Sequence, residues 1–147
     1  MKIAIVTNIP SPYKVELFSL LAEQDQLYVI YEKHGEKDRE ESWYNRTQGN
    51  YTSVYYGTDP IDFETIAEEY DCLSNADYTN PIARKLSGVF RKKHKPVFLQ
   101  ADGGLARKKS PADLLVRQLM KGFDGYLSSG IQTDQYFLHK SGFAQRW

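Results

Sequence analysis

The sequence lacks the features of several specialised protein classes. Its 147 residues include a single cysteine, Cys72, so no internal disulfide bond can form, and this usage is typical of a reducing compartment. No apolar run approaches the ~18 residues that a membrane-spanning helix requires. The apolar stretch at residues 2–7 is too short for a secretory signal. We therefore expect a cytoplasmic, globular protein.

Short motifs for several common chemistries are also missing. No G-x-G-x-x-G sequence follows the first strand-like run, no G-x-x-x-x-G-K-[ST] phosphate loop occurs, and the segment LSSGIQ lacks the first glycine of a nucleophile elbow. The three histidines, His34, His94 and His139, are far apart in the sequence, and one cysteine cannot build a thiolate site. We expect no metal ion and no cofactor in this chain.

Charge is distributed unevenly, although the net charge is zero. Residues 1–80 contain 6 basic and 15 acidic side chains, a balance of −9, whereas residues 81–147 contain 13 basic and 4 acidic ones, a balance of +9. Such an asymmetry indicates an anionic partner for the second half. Two solvated faces that neutralise each other would produce the same pattern, so both interpretations stand.

Apolar runs and helical patterns alternate along the chain. The predicted strands are residues 2–7, 26–32, 52–57, 71–76, 96–101 and 124–130, and the predicted helices are residues 13–24, 59–70, 80–94, 110–123 and 133–142. The strands are short, continuous and apolar, as parallel strands buried on both faces must be. This alternation predicts an α/β fold in which a doubly wound, mostly parallel, Rossmann-like sheet carries helices on both faces, with residues 1–147 as one domain.

Polar caps and prolines mark the predicted helix starts. Three such pairs occur: Asp59–Pro60, Asn80–Pro81 and Ser110–Pro111. In each, the polar side chain is placed to accept a hydrogen bond from the first turn, and proline occupies that turn, where an amide hydrogen has no partner inside the helix. Gly142 is the predicted end of the last helix. Residues 33–51 are polar and charged and have no clear pattern.

The carboxyl ends of the predicted strands are the expected place for a ligand, because open α/β sheets bind ligands in the crevice beyond those ends. The segment QADGGLARKKSP, residues 100–111, follows the fifth strand and places Asp102, Gly103 and Gly104 there. The two glycines permit a steep turn or a close approach of the backbone to a ligand. A simple strand-ending turn explains the same residues, so a functional role is a hypothesis.

A second candidate feature is the basic stretch at residues 84–109, which has nine basic side chains and one acidic side chain. Basic side chains beside an apolar helix face are typical of helices that lie on anionic membranes. The candidates for contact with a membrane or an anionic acceptor are Lys92, Lys93, Arg107, Lys108 and Lys109. The apolar face itself is expected to pack on the sheet, with the charges solvated. No nucleic acid is expected as a partner, because aromatic residues do not alternate with the basic ones.

Several segments resemble a known family. MKIAIVTNIPSPYKVELFSLLAEQ, residues 1–24, is similar to the opening of bacterial glycosyltransferases of family 4, which has a strand, an I-P-x-P-Y-[KR] loop and L-F-x-x-L. The loop with Asp-Tyr and Asn-Pro at residues 77–81, then KPVFLQADGG and FDGYLSSGIQTDQYFLHKSG, are similar to later parts of that family. The resemblance covers nearly the whole chain except residues 33–60.

The resemblance implies one half of a GT-B architecture, in which two Rossmann-like domains face each other across a cleft. This chain resembles the amino-terminal, acceptor-side half of a retaining glycosyltransferase, and we expect the donor-binding carboxyl-terminal domain to be absent from it. The implied donor substrate is a nucleotide sugar, and the implied acceptor is a glycan or lipid-linked sugar at the inner membrane face, in polysaccharide biosynthesis. The chain departs from many relatives in having IPSPY where they have a glycine-rich loop. This half alone is expected to transfer no sugar.

Expected site residues follow from the resemblance together with the strand-end positions. Asp102 is the expected catalytic residue, because a carboxylate accepts hydrogen bonds from sugar hydroxyls and can position the attacking one. The expected substrate-binding residues are Asn8, Ser11, Tyr13, Asp77, Tyr78, Gly103, Gly104, Ser129 and Gly130. The alternative is a stand-alone, flavodoxin-like binding or interaction module without enzymatic activity.

Overall fold

The computed structural model describes residues 1–35, 49–101 and 112–141. Six parallel strands form one sheet: β1 (Lys2–Thr7), β2 (Gln26–Tyr31), β3 (Thr52–Tyr55), β4 (Cys72–Asn75), β5 (Val97–Ala101) and β6 (Gly125–Ser128). The helices in the described ranges are α1 (Pro12–Leu21), α2 (Phe63–Glu69), α3 (Pro81–Lys92), α4 (Ala112–Met120) and α5 (Ile131–Ser141). This alternation of strand and helix confirms the predicted α/β fold.

The strand order is β3-β2-β1-β4-β5-β6, and every neighbouring pair is parallel. The chain starts at a central strand, moves outward to one edge, crosses back, and moves outward to the other edge. This is the order of the doubly wound Rossmann fold. It differs from the flavodoxin order, in which the third strand lies beside the first.

Side chains on the two sheet faces form two cores, because successive residues of a strand point to opposite faces. In β1, Ala4 belongs to the larger core, which α2, α3, α4 and α5 cover, whereas Ile5 belongs to a smaller core with Phe18 of α1. Helices therefore cover both faces, as predicted. Burying one leucine or phenylalanine contributes about 1.5–3 kcal/mol, so Leu86 and Phe90, both 0 % exposed, anchor α3 on the sheet.

One predicted helix start is wrong. Helix α2 begins after Asp62, which is its cap in place of Asp59. The Asp62 carboxylate accepts hydrogen bonds from the amides of Glu64 and Thr65, at 3.0 and 3.4 Å. The Asp59 carboxylate instead accepts a hydrogen bond at 2.6 Å from the amide of Tyr55, at the end of β3. The turn after β3 therefore uses the first aspartate, and the helix is capped by the second.

Some predicted lengths also differ. Helix α5 begins at Ile131, two residues before its predicted start, and β3 and β6 each end two residues early, at Tyr55 and Ser128. The early start of α5 has a local cause. The Ser128 hydroxyl donates a hydrogen bond to the Asp134 carboxylate, and the Asp134 amide donates one to the Gly130 carbonyl at 3.0 Å. These two bonds close the first turn of α5 directly after β6.

The start of α3 confirms the predicted cap. The Asn80 Oδ1 atom accepts hydrogen bonds from the amides of Ile82 at 2.8 Å and Ala83 at 3.3 Å. Asn80 is extended, and proline occupies the first turn that follows. The other predicted signals, at residues 110–111 and Gly142, lie outside the described residues.

The end of α3 is a Schellman motif built on a histidine. His94 has a φ of 55°, in the left-handed region that favours glycine. The His94 amide donates a hydrogen bond to the Arg91 carbonyl, and the Lys95 amide donates one to the Phe90 carbonyl, both at 3.0 Å. These two bonds satisfy the last carbonyls of the helix. His94 therefore ends the helix, at a position where glycine is the usual residue.

Candidate functional site

The crevice at the carboxyl edge of the sheet lies between β1 and β4. These strands are neighbours, but the helices that follow them cover opposite faces, α1 on one and α3 on the other. The loops at residues 8–11 and 76–80 therefore follow neighbouring strands and lead to opposite faces, an arrangement that opens a crevice in doubly wound sheets. Doubly wound sheets bind their ligands at this point, where the strand order reverses.

Asn8 and Lys14 organise the loop after β1. The Asn8 Oδ1 atom accepts hydrogen bonds from the Ile9 amide at 2.8 Å and from Lys14 Nζ at 2.7 Å. Lys14 Nζ also donates to Thr7 Oγ1 at 2.8 Å. Lys14 is only 5 % exposed, so a buried ammonium group lies directly beneath this loop. The Asn8 side chain itself is exposed, so a ligand in the crevice can reach its amide group.

Ser11 and Tyr13 follow in the same loop and in the first turn of α1. Ser11 precedes the helix, yet its side chain makes no capping hydrogen bond. Its hydroxyl is buried and has no hydrogen-bond partner among residues 1–35, 49–101 and 112–141, a condition that costs about 1–3 kcal/mol. Tyr13 is 50 % exposed. Its ring therefore offers an apolar surface beside the first loop.

Asn75 and Asp77 organise the loop after β4. The fully buried Asn75 accepts a hydrogen bond at Oδ1 from the Asp77 amide, at 2.8 Å. One Asp77 carboxylate oxygen accepts hydrogen bonds from the Thr79 amide at 2.7 Å and the Thr79 hydroxyl at 2.6 Å. Asp77 is exposed, and its other oxygen has no hydrogen-bond partner in the described part of the chain. That oxygen is available to a ligand.

Tyr78 packs against the larger core beside the crevice. Its hydroxyl lies 3.3 Å from the hydroxyl of Tyr136 on α5. Burial, together with this hydrogen bond, raises the pKa of Tyr78 above its ordinary value. The hydroxyl is therefore neutral at physiological pH, and the ring contributes to a groove between α3 and α4.

Ser129 and Gly130 lie at the same edge of the sheet but farther along it. Strand β5 separates β4 from β6. Since neighbouring strands are about 4.8 Å apart, these two residues are roughly 10 Å from the end of β4 and roughly 14 Å from the end of β1. By strand position, Asn8 and Ser11 follow the strand beside the one that precedes Asp77, whereas Ser129 and Gly130 follow a strand two positions from β4.

The site residues predicted directly after β5 all lie outside the described residues. They are Asp102, Gly103, Gly104, Arg107, Lys108 and Lys109. The catalytic role of Asp102 therefore stays a prediction.

Lys92 and Lys93 lie at the end of α3 that is far from the crevice. The helix begins beside the carboxyl edge at residue 81 and rises about 1.5 Å per residue, so its last turn is roughly 16 Å away. Lys93 forms ion pairs with Glu64 at 3.4 Å and Glu68 at 3.1 Å, which connect α3 to α2. Lys92 is exposed. Lys92 and Lys93 are therefore distant from the predicted substrate-binding residues of the crevice.

Lys14 and Asn75 are two residues of this region that were not predicted as site residues. Lys14 stands four residues before Phe18, so the two share one helix face, and both are buried. The position of Lys14 on an apolar helix face was the sequence feature that could have indicated its burial. Asn75 is a polar residue at the end of a continuous buried strand. A polar side chain at such a position must find hydrogen-bond partners, and Asn75 finds them in the next loop and in α3.

The described side chains offer a ligand amide, hydroxyl, carboxylate and aromatic groups at this crevice. In residues 1–35, 49–101 and 112–141, no group of three or more His, Cys, Asp or Glu side chains is arranged to hold a metal ion. Within the same ranges, no helix combines the length and apolar character needed to cross a membrane. Comparisons with protein-family models, with curated proteins and with solved structures found no match for this chain.

Proposed function

We propose that the chain is the acceptor-binding half of a retaining glycosyltransferase that uses a nucleotide sugar. The observation that carries the proposal is the meeting of two loops, residues 8–13 and 77–81, where the strand order reverses. Both loops belong to segments that resemble glycosyltransferases of family 4. The Rossmann order of the sheet supports the same proposal, because each half of a GT-B architecture is Rossmann-like.

In this proposal the crevice binds the acceptor sugar. The second carboxylate oxygen of Asp77 accepts a hydrogen bond from a sugar hydroxyl, and the Asn8 amide donates one. The exposed ring of Tyr13 packs on the apolar face of the sugar. The ammonium group of Lys14 lies beneath the first loop, where its charge favours a negative charge that develops on an attacking hydroxyl.

The remaining steps of the proposal involve other parts of the protein. Asp102 positions the attacking hydroxyl, and Ser129 with Gly130 contacts a more distant part of the acceptor. Basic residues 107–109 contact an anionic acceptor or lipid headgroups, which would keep the protein at the inner face of the membrane. A separate donor domain binds the nucleotide sugar, so this chain alone transfers none. The product belongs to polysaccharide biosynthesis.

Sugar binding can be measured on the 147-residue chain by saturation-transfer NMR with a panel of methyl glycosides. We expect Asp77→Asn to weaken binding about 5-fold or more, because it removes a charge-assisted hydrogen bond. Glu23→Gln is the matched control, since Glu23 is an exposed acid beyond the far end of α1. Equal sugar binding by both variants and the unchanged chain would contradict the proposed crevice.

Transfer requires the protein as it occurs in its source cells. Native protein, purified with an antibody against this chain, is incubated with labelled nucleotide sugars and a lipid extract of the same cells. We expect label in an acceptor, and a protein band about twice the size of this domain if the donor domain is continuous with it. A stand-alone binding module would give three different results. The protein band would have the size of this chain, no sugar would be transferred, and the chain would bind a ligand tightly with an affinity that Asp102→Ala leaves unchanged.

A further inference from the structure

A groove between α3 and α4 adjoins the crevice and has a different chemistry. Its volume is about 560 Å³. Asn75 and Tyr78 line it at the carboxyl edge of the sheet, and Arg84 and Arg91 line it along α3. The buried Ser87 also lines the groove, accepts a hydrogen bond from Asn75 at 3.4 Å and donates one to a backbone carbonyl. The base of the groove is therefore polar and uncharged.

Positive charge is concentrated in this groove. Its lining includes Arg84, Lys85 and Arg91, and none of the described residues that line it is acidic. None of these three forms an ion pair within the described part of the chain. Lys93, two residues beyond Arg91, is paired with two glutamates of α2. The same helix thus carries a lysine paired with two glutamates on one side and, on the other, cations that form no ion pair with the described residues.

Small residues keep the groove open between the arginines. Arg84 and Arg91 are two turns apart on one face of α3, about 10 Å along the axis. Gly88 lies between them, and a Cβ added there would meet no heavy atom within 4 Å. A Cβ added to Gly122 would lie 2.9 Å from Arg91 Nη2. The guanidinium of Arg91 also lies 5.5 Å from the centre of the Phe123 ring, so it is held along the wall of the groove.

We propose that this groove binds a phosphoryl or diphosphoryl group through Arg84 and Arg91. A planar guanidinium presents paired N–H donors that match phosphate oxygens. Three cations can balance more negative charge than a single carboxylate carries, which favours a phosphoryl group over a carboxylate as the ligand. Although Arg91 as a whole is exposed, its guanidinium has lost some solvation, which lowers its pKa against an opposing effect of Asp124. A bound anion would replace that lost solvation. The inference is independent of the proposed transferase function, because it uses only the groove.

Titration of the 147-residue chain with inorganic pyrophosphate tests the site. Backbone amide NMR at about 0.15 M salt, where remote charges are largely screened, is expected to show saturable shifts in α3 and α4. Arg84→Gln and Arg91→Gln are each expected to weaken binding about 10-fold or more. Lys2→Gln, which removes one charge from an exposed position at the start of β1 and outside the groove, is expected to leave binding unchanged. Equal weakening by all three, or no saturation, would overturn the proposal.

Two controls distinguish a loss of the phosphate site from unfolding of the variants. Arg84 and Arg91 are exposed, so the melting temperatures of the variants are expected to stay close to that of the unchanged chain. Arg91→Lys keeps the charge but loses the paired donors, and is expected to bind pyrophosphate with an intermediate affinity. Full affinity in Arg91→Lys would contradict a guanidinium-specific site.

Vesicles distinguish two sources of the phosphoryl group. The chain is sedimented with phosphatidylcholine vesicles that contain phosphatidic acid, whose headgroup is a phosphomonoester. Sedimentation that Arg84→Gln reduces and Lys2→Gln does not reduce assigns the group to a lipid. Saturable pyrophosphate binding without sedimentation supports the site and assigns the group to a soluble phosphorylated compound. Absence of binding in both assays rejects the site.

Discussion

Replacing Asn80 with alanine tests how the second wall of the crevice is held in place. Asn80 is 5 % exposed, and its Oδ1 atom accepts hydrogen bonds from two amides in the first turn of α3. Loss of such a cap costs about 0.5–2 kcal/mol. Both hydrogen bonds are buried, and an unsatisfied buried donor costs about 1–3 kcal/mol. We therefore expect a loss near the upper end of the capping range, about 2 kcal/mol in the free energy of unfolding.

Thermal and urea unfolding followed by circular dichroism measure this loss. For a domain of this size, each kcal/mol corresponds to about 2–4 °C, so the melting temperature is expected to fall by about 4–8 °C. Asn80→Ser keeps an acceptor at the cap and is expected to recover most of the difference. Asp62→Ala, at the exposed cap of α2, is the comparison and is expected to cost less. A melting temperature unchanged in Asn80→Ala would refute the reasoning.

Four further predictions follow from single residues. His94→Gly should raise the free energy of unfolding by about 1 kcal/mol, because glycine has no Cβ penalty at positive φ; destabilisation in urea would contradict this. Ser11→Ala should stabilise the chain by about 1 kcal/mol by removing a buried, unpartnered hydroxyl, and a lower melting temperature would show a hidden partner. Burial raises the pKa of the Cys72 thiol, so a thiol reagent at pH 8 should react slowly until denaturant is added; equal rates would refute its burial. Hydrogen bonds from Thr65 and Glu64 lower the pKa of Asp62. The stabilising effect of the Asp62 carboxylate should therefore be present above about pH 4 and lost as the pH falls further. In Asp62→Asn, the melting temperature should depend less on pH below about pH 4.

The sequence by itself determined the local elements and several of their ends. All six strands and all five helices of the described ranges fall where apolar runs and helical patterns predicted them. These features depend on neighbours within one turn or one strand, such as the Asn80 cap followed by proline. The prediction failed where two similar signals compete. Asp59 and Asp62 are both plausible caps, and only the turn after β3 shows that Asp59 is used there.

Tertiary structure alone decided which distant segments meet. Residues 8–11 and 76–80 share a crevice because β1 lies beside β4, and strand order depends on pairings that no local pattern encodes. Packing also decided the state of the charges. Lys14 is buried beneath its own loop, and Lys93 is paired with glutamates of α2. Arg84 and Arg91 line a groove beside α4 and form no ion pair with the described residues. A charge count along the chain treats these residues alike, whereas their environments depend on how the helices pack on the sheet.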